Sequence, residues 1–199
     1  MTKAEVVAIG QVEDGRRLRG HENRRRIVDA MLALIREGTM SPSAEEVATR
    51  AEVGLRTVFR HFDDMDSLYR EISAKMRDEL LPIAIAPFPD GDWQVRMAEL
   101  IERRARVFEK MMPFKLAADI HRHRSVFLSN EHADLAKFLR DTLREVLGAR
   151  LARKGVQFEA LDLLLSFDAW RRMRLDQGMS VSQAKKLLTH TTNALLSND

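Results

Sequence analysis

SAEEVATRAEVGLRTVFRHF, residues Ser43 to Phe62, is the most informative segment of the chain. It reads as two short helices joined by a tight turn. Ser43 followed three residues on by Glu46 has the spacing of a capping box, in which hydroxyl and carboxylate each satisfy an N–H orphaned at a helix start. Pro42 stops any helix from entering from upstream. Val47, Ala48 and Ala51 form one apolar stripe, and Ala48 is small enough for a second helix to cross closely. Val53 starts the turn core, and Gly54 is the N-cap of the next helix, where glycine costs little relative to serine or threonine. Val58 and Phe62, at i and i+4, face inward. That leaves Leu55, Arg56, Thr57, Phe59, Arg60 and His61 at or near the surface, a set suited to reading a DNA major groove.

The flanks extend this pattern. Upstream, RRRIVDAMLALIREG places Ile27, Ala30, Met31, Leu34 and Ile35 at i, i+3, i+4, i+7 and i+8, an amphipathic helix closed by Gly38 at C′. Downstream, Asp63 or Asp64 caps a further helix with the stripe Met65, Leu68, Tyr69, Ile72, Met76 and Leu80. The run is helix, helix, tight turn, helix, helix, the framework of a helix-turn-helix domain.

Residues 24–72 resemble the N-terminal domain of the TetR/AcrR family of one-component transcriptional regulators. The resemblance rests on Ile27, Ala30, Leu34, Gly38, Ser43, Val47, Ala48, Ala51, Val53, Thr57, Val58, His61, Phe62, Leu68 and Ile72. Its most specific segment is TVFRHFDDMDSLYREI. Beyond the first 75 or so residues it is architectural only, with a helix of the form FDAWRRMRLDQG near the end. Four positions depart from the family pattern. Glu52 stands where the turn usually has glycine, so a side chain is forced toward positive φ at about 1–2 kcal/mol. Gly54 replaces a serine or threonine cap, Phe59 a tyrosine, and Met65 a lysine, each removing a polar contact. Those losses shift the burden of DNA affinity to other cations, and GRRLRGHENRRR supplies Arg16, Arg17, Arg19, Arg24, Arg25 and Arg26. A basic arm of this kind can enter a minor groove or track phosphates, with affinity that falls steeply with salt; the alternative is a solvated tail whose charges make no specific contact.

The resemblance implies an all-α chain that binds double-stranded DNA as a homodimer at a pseudo-palindromic operator. It implies a repressor released by a small apolar effector. The residues assigned to DNA are Arg19, Arg24, Ser43, Leu55, Arg56, Thr57, Phe59, Arg60 and His61. The expected organisation is a flexible basic arm at 1–20 and a helix-turn-helix domain at 21–64. A connecting helix and Pro-rich joint occupy 65–91, and a helical ligand-binding and dimerisation domain 92–199. The joint is LPIAIAPFPDGD, whose three prolines stop helices.

In the second region Asp92–Met112 reads as one helix, broken or restarted at Pro113, with a short helix through Leu116, Ala117 and Ile120. A longer helix is expected near Asn130–Leu151, a loop at Gly155, and one helix from Glu159 to Gln177. A last helix opens with a second capping-box spacing, Ser180 to Gln183. The 159–177 helix is apolar around most of its circumference, which requires burial on more than one side. That makes it and the last helix the expected dimer interface, through Leu161, Leu164, Leu165, Asp168, Arg172, Ala184, Leu187, Leu188, Thr191 and Leu195. The alternative is that both are core of a monomer. Trp93, Met97, Phe108, Met111, Phe114, His121, Phe127, Trp170 and Met173 are the candidate lining of a ligand pocket, although such a stripe is more often plain core. HRHR at 121–124 suggests no metal, since neighbouring histidines without a carboxylate or thiolate make a weak site.

Composition sets outer bounds. The 199 residues carry a net charge of +3 and no cysteine, which excludes disulfides and thiolate metal sites and fits a reducing cytoplasm. No stretch approaches the roughly 18 apolar residues of a membrane span, and VVAI near the N-terminus is too short for a signal peptide. No HExxH, GxSxG or phosphate-loop spacing occurs, so neither an enzyme nor a cofactor is expected. The remaining rival is a helical ligand-binding or adaptor protein with weak or no specific DNA binding.

Overall fold

The structure is a computed structural model that describes residues 3–148 and 155–197, with side chains described from Leu18 onward. Among the described residues it is all-α, in nine α-helices. They are α1 (Lys3–Arg36), α2 (Ala44–Arg50), α3 (Leu55–His61), α4 (Met65–Ala84), α5 (Trp93–His121), α6 (Val126–Leu147), α7 (Gly155–Leu164), α8 (Phe167–Arg171) and α9 (Val181–Ser197). A 3-10 turn at Arg122–Arg124 precedes α6, and a π-helical turn at Arg172–Asp176 extends α8. The chain forms two compact units, one of residues up to Lys75 with Pro113–Ser125, the other of Met76–Met112 with Val126 onward. Two of the three divisions fall inside helices, α4 and α5, and the third, after Ser125, immediately precedes α6.

The first unit is built on α1, whose Ile27, Met31 and Ile35 are fully buried. Val47 and Ala48 of α2, Val58 of α3, Phe62, and Leu68 and Ile72 of α4 complete the same core. Val28 and Leu32, on another face of α1, are buried too. Arg36 continues that face and lies over the ring of Phe114, 5.4 Å from its centroid. Helix α1 ends in a Schellman motif: Gly38 takes φ 102°, its N–H donates to Ile35 O, and the Thr39 N–H donates to Leu34 O. Asp64 is the residue that caps α4, its Oδ1 accepting from the Ser67 N–H at 2.7 Å.

The second unit packs Met97, Leu100, Ile101, Phe108 and Met112 of α5 with Leu139, Leu143 and Val146 of α6. Phe158, Leu161, Phe167, Trp170, Ala184 and Leu188 supply the rest of its interior. Helix α5 runs through Pro113 rather than stopping there. Proline removes one backbone bond from a helix interior and weakens it against bending, and it is between Met112 and Pro113 that the chain leaves the second unit. Near the C-terminus, the single helix expected over 159–177 is three pieces. Ser166 breaks it: its Oγ accepts from the Ala169 N–H at 3.1 Å and donates to Leu163 O at 2.7 Å. A serine that bonds its own backbone competes with the helix ladder. Helix α6 begins at Val126, four residues before the position expected from sequence, and α7 begins at Gly155, the expected loop. The expected end of α6 at Leu151 lies outside the described residues. Ser180 caps α9 as expected, with both bonds of the capping box present.

Candidate nucleic-acid interface

Helices α2 and α3 and the turn between them carry the candidate site. The α2 capping box is complete: Ser43 Oγ accepts from the Glu46 N–H at 3.2 Å, and the Ser43 N–H donates to Glu46 Oε2 at 2.8 Å. Helix α2 ends in a second Schellman motif, with the Glu52 N–H donating to Thr49 O and the Val53 N–H to Ala48 O. The C′ residue of that motif is Glu52, at φ 52°, the left-handed conformation expected of the glycine that it replaces. Gly54 is the N-cap of α3 and gives no side-chain bond.

On α3, Val58 and Phe62 are buried, and Arg56, Phe59 and Arg60 are exposed, with Phe59 49% exposed despite being aromatic. Leu55 is exposed, and Thr57 and His61 are half-buried. The outward face of this helix therefore alternates cations with an apolar ring. His61 has a buried Nε2 without a hydrogen-bond partner among the described residues. Burial first, then the charges of Arg60 and Arg24, hold its pKa below the ordinary histidine value.

The basic run before α2 is helical, since α1 starts at Lys3. The side chains of Arg16 and Arg17 lie outside the described residues, and Arg19 is exposed. Arg24 turns inward. Its Nη1 donates to His61 O at 2.8 Å, its Nη2 meets Glu71 Oε1 at 2.8 Å, and its guanidinium lies 4.5 Å from the centroid of Phe62. Arg25 pairs with Glu22 at 2.9 Å on the exposed side, and the Arg26 Nη2 donates to Glu52 O at 3.3 Å and Oε2 at 3.2 Å. From sequence these arginines read as one arm, because a local charge run hides partners tens of residues away.

The candidate ligand residues divide between the units. Phe114 and His121 belong to the first. There the His121 ring is 5.5 Å from that of Tyr69, and its Nε2 is 3.1 Å from Ser41 Oγ. The Tyr69 hydroxyl is buried without a partner among the described residues, and burial pushes its pKa up to about 12. In the second unit Met97, Phe108, Trp170 and Met173 are buried, whereas Trp93, Met111 and Phe127 are half-buried. Phe108 packs edge-on against Phe167 at 5.6 Å and tilted against Trp170 at 6.3 Å, so these rings fill one another's space.

Two polar groups in this unit are additions to what the sequence suggests. Arg104 lies on the apolar stripe of Met97, Leu100, Ile101 and Phe108, a helical spacing that marks it as interior. Its guanidinium donates to Leu165 O at 2.8 Å, to Leu139 O, and to Thr142 Oγ1 at 3.2 Å, with Nε unpartnered among the described residues. Burial pulls its pKa down to about 10, partly offset by Asp162, so it stays charged at neutral pH. Glu109 accepts from Trp170 Nε1 at 2.8 Å and from Arg174 Nε and Nη2 at 2.8 and 3.1 Å. Burial alone would raise this carboxyl, but the bonds from Arg174 and Trp170 outweigh it and hold its pKa below the usual value.

Of the residues assigned to a dimer interface, Leu161, Leu165, Ala184 and Leu188 are buried within the chain itself. Surface is offered by Asp168, Arg172 and Leu187, with Leu164, Thr191 and Leu195 half-buried. Leu163, at 72% exposed, and Val156, at 84%, are exposed apolar residues on α7. Among the described residues no three His, Cys, Asp or Glu side chains are grouped to hold a metal ion, and no helix is long and apolar enough to cross a membrane.

The described residues thus form an all-helical fold with a helix-turn-helix module in the first unit and a second helical unit interleaved with it in sequence. Solved structures share that fold. The presumptive transcriptional regulator SCO7518 from Streptomyces coelicolor A3(2) is 16% identical with a TM-score of 0.62, over 89% of this chain and 99% of its own. A transcriptional regulator from Rhodococcus sp. Rha1, RHA1_ro04179, is 20% identical with a TM-score of 0.64, over 87% of this chain and 96% of its own. No protein-family model and no curated protein matches the sequence. At these identities the shared property is the fold.

Proposed function

We propose that this protein is a DNA-binding transcriptional regulator of the TetR/AcrR kind, not an enzyme. The observation that carries the reading is the outward face of α3, where Arg56, Phe59 and Arg60 are exposed on a helix anchored by buried Val58 and Phe62. The names of the two solved structures that share its fold support a role in transcription. Arg56, Thr57 and Arg60 are the residues proposed to reach base edges or adjacent phosphates, with Leu55 and Phe59 offering apolar contact to thymine methyls. Ser43, His61 and Arg19 are proposed to hold the phosphate backbone.

Residues 21–64 form the reader in this proposal, and the helical region from 92 onward the sensing and dimerisation part. Two copies associate through the surface of α7 to α9 that carries Leu163, Asp168, Arg172 and Leu187, with Leu164, Thr191 and Leu195 at its margin. Leu161, Leu165, Ala184 and Leu188 support those helices from beneath. The pair reads a pseudo-palindromic operator, because half-site spacing mirrors protein twofold symmetry. A small apolar effector taken up among Trp93, Met97, Met111 and Phe127 releases the DNA. Repression is the expected sign of regulation.

Selection of duplexes from a random-sequence pool, repeated at two salt concentrations, tests the reading. Enrichment of a twofold-symmetric sequence supports it, and Arg56→Ala lowers binding to that sequence and relaxes its selectivity without changing the oligomeric state. Salt-sensitive binding with no enriched sequence favours the rival, a helical ligand-binding or adaptor protein.

A further inference from the structure

We infer that Arg24 and Arg26 are positioning residues that brace the recognition helix, Arg26 through the turn before it and Arg24 at its last residue, and that the arginine cluster of α1 is in this part a scaffold rather than a DNA-contacting arm. The inference rests on the reading of α3 as the DNA-reading helix. A seven-residue helix is short, and its N-cap, Gly54, provides no side-chain bond. Val58 and Phe62 anchor it from beneath, and the two arginines add bonds at the turn before it and at its last residue.

Successive residues of a helix are turned by about 100°, so Ile27 falls between Arg24 and Arg26 around the circumference of α1, and Arg25 falls opposite it. Ile27 is fully buried, which orients the set: its two arginine neighbours rise from the edges of the buried face, and Arg25 points outward to Glu22. Arg26 reaches the turn before α3, bonding the carbonyl of Glu52, the one non-glycine residue with positive φ among the described residues. Arg24 reaches the other end. It takes the carbonyl of His61, the last residue of α3, where a cation also favours the negative end of the helix dipole.

The grip of Arg24 is threefold: the His61 carbonyl, the Glu71 carboxylate of α4 and the face of Phe62. A planar fork satisfies all three at once, which an ammonium does not. This distinguishes a positioning role from a phosphate contact. A phosphate contact needs charge, is largely rescued by lysine, and its loss weakens all sequences alike while lowering the salt slope by about one. A positioning residue needs shape, and its loss blurs the discrimination between sequences.

The experiment uses the full chain and the duplex that it selects from a random pool, with a scrambled duplex as control. Arg24→Ala and Arg24→Lys are each expected to lower the ratio of selected to scrambled affinity by about tenfold or more. Affinity for the scrambled duplex and the salt slope are expected to stay at their wild-type values. Glu71→Gln provides an independent arm should the Arg24 variants fail to fold. It removes a negative charge, so a phosphate-contacting Arg24 would bind DNA more tightly, whereas a positioning Arg24 loses selectivity. Rescue by lysine, a salt slope lower by about one in Arg24→Ala, or tighter and equally selective binding by Glu71→Gln each overturns the inference while leaving the DNA reading intact. No enriched sequence with the wild-type chain overturns both.

Discussion

Replacing Glu52 by glycine is expected to stabilise the protein. Glu52 sits at φ 52° as the C′ residue of α2, and the two Schellman bonds that depend on this conformation have N–O distances of 3.1 and 3.0 Å. A side chain in the left-handed region costs about 1–2 kcal/mol, and glycine removes that cost. Glycine returns about 0.4–1 kcal/mol through its greater freedom in the unfolded chain. The substitution also removes the Arg26–Glu52 ion pair. With the Glu52 side chain 85% exposed, that pair belongs at the low end of the about 0–1 kcal/mol expected of surface pairs. The Arg26 bond to the Glu52 carbonyl survives, because the backbone stays where it is. The net gain is about 0.5–1 kcal/mol, a rise in Tm of about 1–4 °C for a chain of this length. Thermal melts of wild type, Glu52→Gly, Arg26→Ala and the double variant close a cycle that isolates the ion pair. A Tm that falls on introducing glycine into the Arg26→Ala background, where no ion pair is left to lose, would mean that the left-handed conformation of Glu52 carries no strain.

Other perturbations act on the buried polar groups. Arg104→Met leaves the Leu165 and Leu139 carbonyls without their buried donor and is expected to cost about 2–4 kcal/mol, read as a lower denaturant midpoint at unchanged m. An unshifted midpoint would mean that the guanidinium is dispensable. Glu109→Gln breaks the charged bonds to Arg174 and is expected to cost about 1–2 kcal/mol at neutral pH, with a shift in tryptophan emission from Trp170. Because the folded pKa of Glu109 is lowered, its contribution is present above the ordinary value of 4.5 and is lost as pH falls through the folded value. The variant should therefore converge on wild type in acid; a constant gap across pH would contradict this. His61 gives the same sign at higher pH. Its folded pKa lies below the ordinary 6.5, so the unfolded chain binds the proton first and stability declines as pH drops from 6.5 toward the folded value. His61→Gln should flatten that decline in a Tm-against-pH series, and an equally steep decline would point to another group.

The helix-turn-helix was legible because each of its signals is local. The Ser43–Glu46 spacing, the small Ala48, and the pair Val58 and Phe62 each act over four residues or fewer, and all stand in the structure as the spacing requires. Even the strain at Glu52 could be anticipated, since the position demands a conformation regardless of which residue fills it. What escaped the sequence depends on distance along the chain. Arg24 meets partners 37 and 47 residues away, and nothing in RRR distinguishes a residue that turns inward from one that stays in water. Arg104 could have been noticed from its place on an apolar stripe, but its acceptors lie on α6 and beyond α7. The break at Ser166 was masked by apolar residues on both sides, which keep helical periodicity while the backbone changes course. Pro113 misled in the opposite direction, because a proline weakens a helix without always ending it.

The division of the chain inside α4 and α5 has a consequence for anyone dissecting this protein. The N-terminal unit is discontinuous: it owns Pro113–Ser125, with buried Phe114 and Ala117, as well as everything up to Lys75. A fragment cut after Lys75 lacks part of its own interior, so its failure to bind DNA would say nothing about α3. Grafting the module onto another helical unit needs three splices, two of them made within a helix. At either of those two a one-residue error turns every later side chain of that helix by about 100°. The unit to engineer is therefore the whole chain.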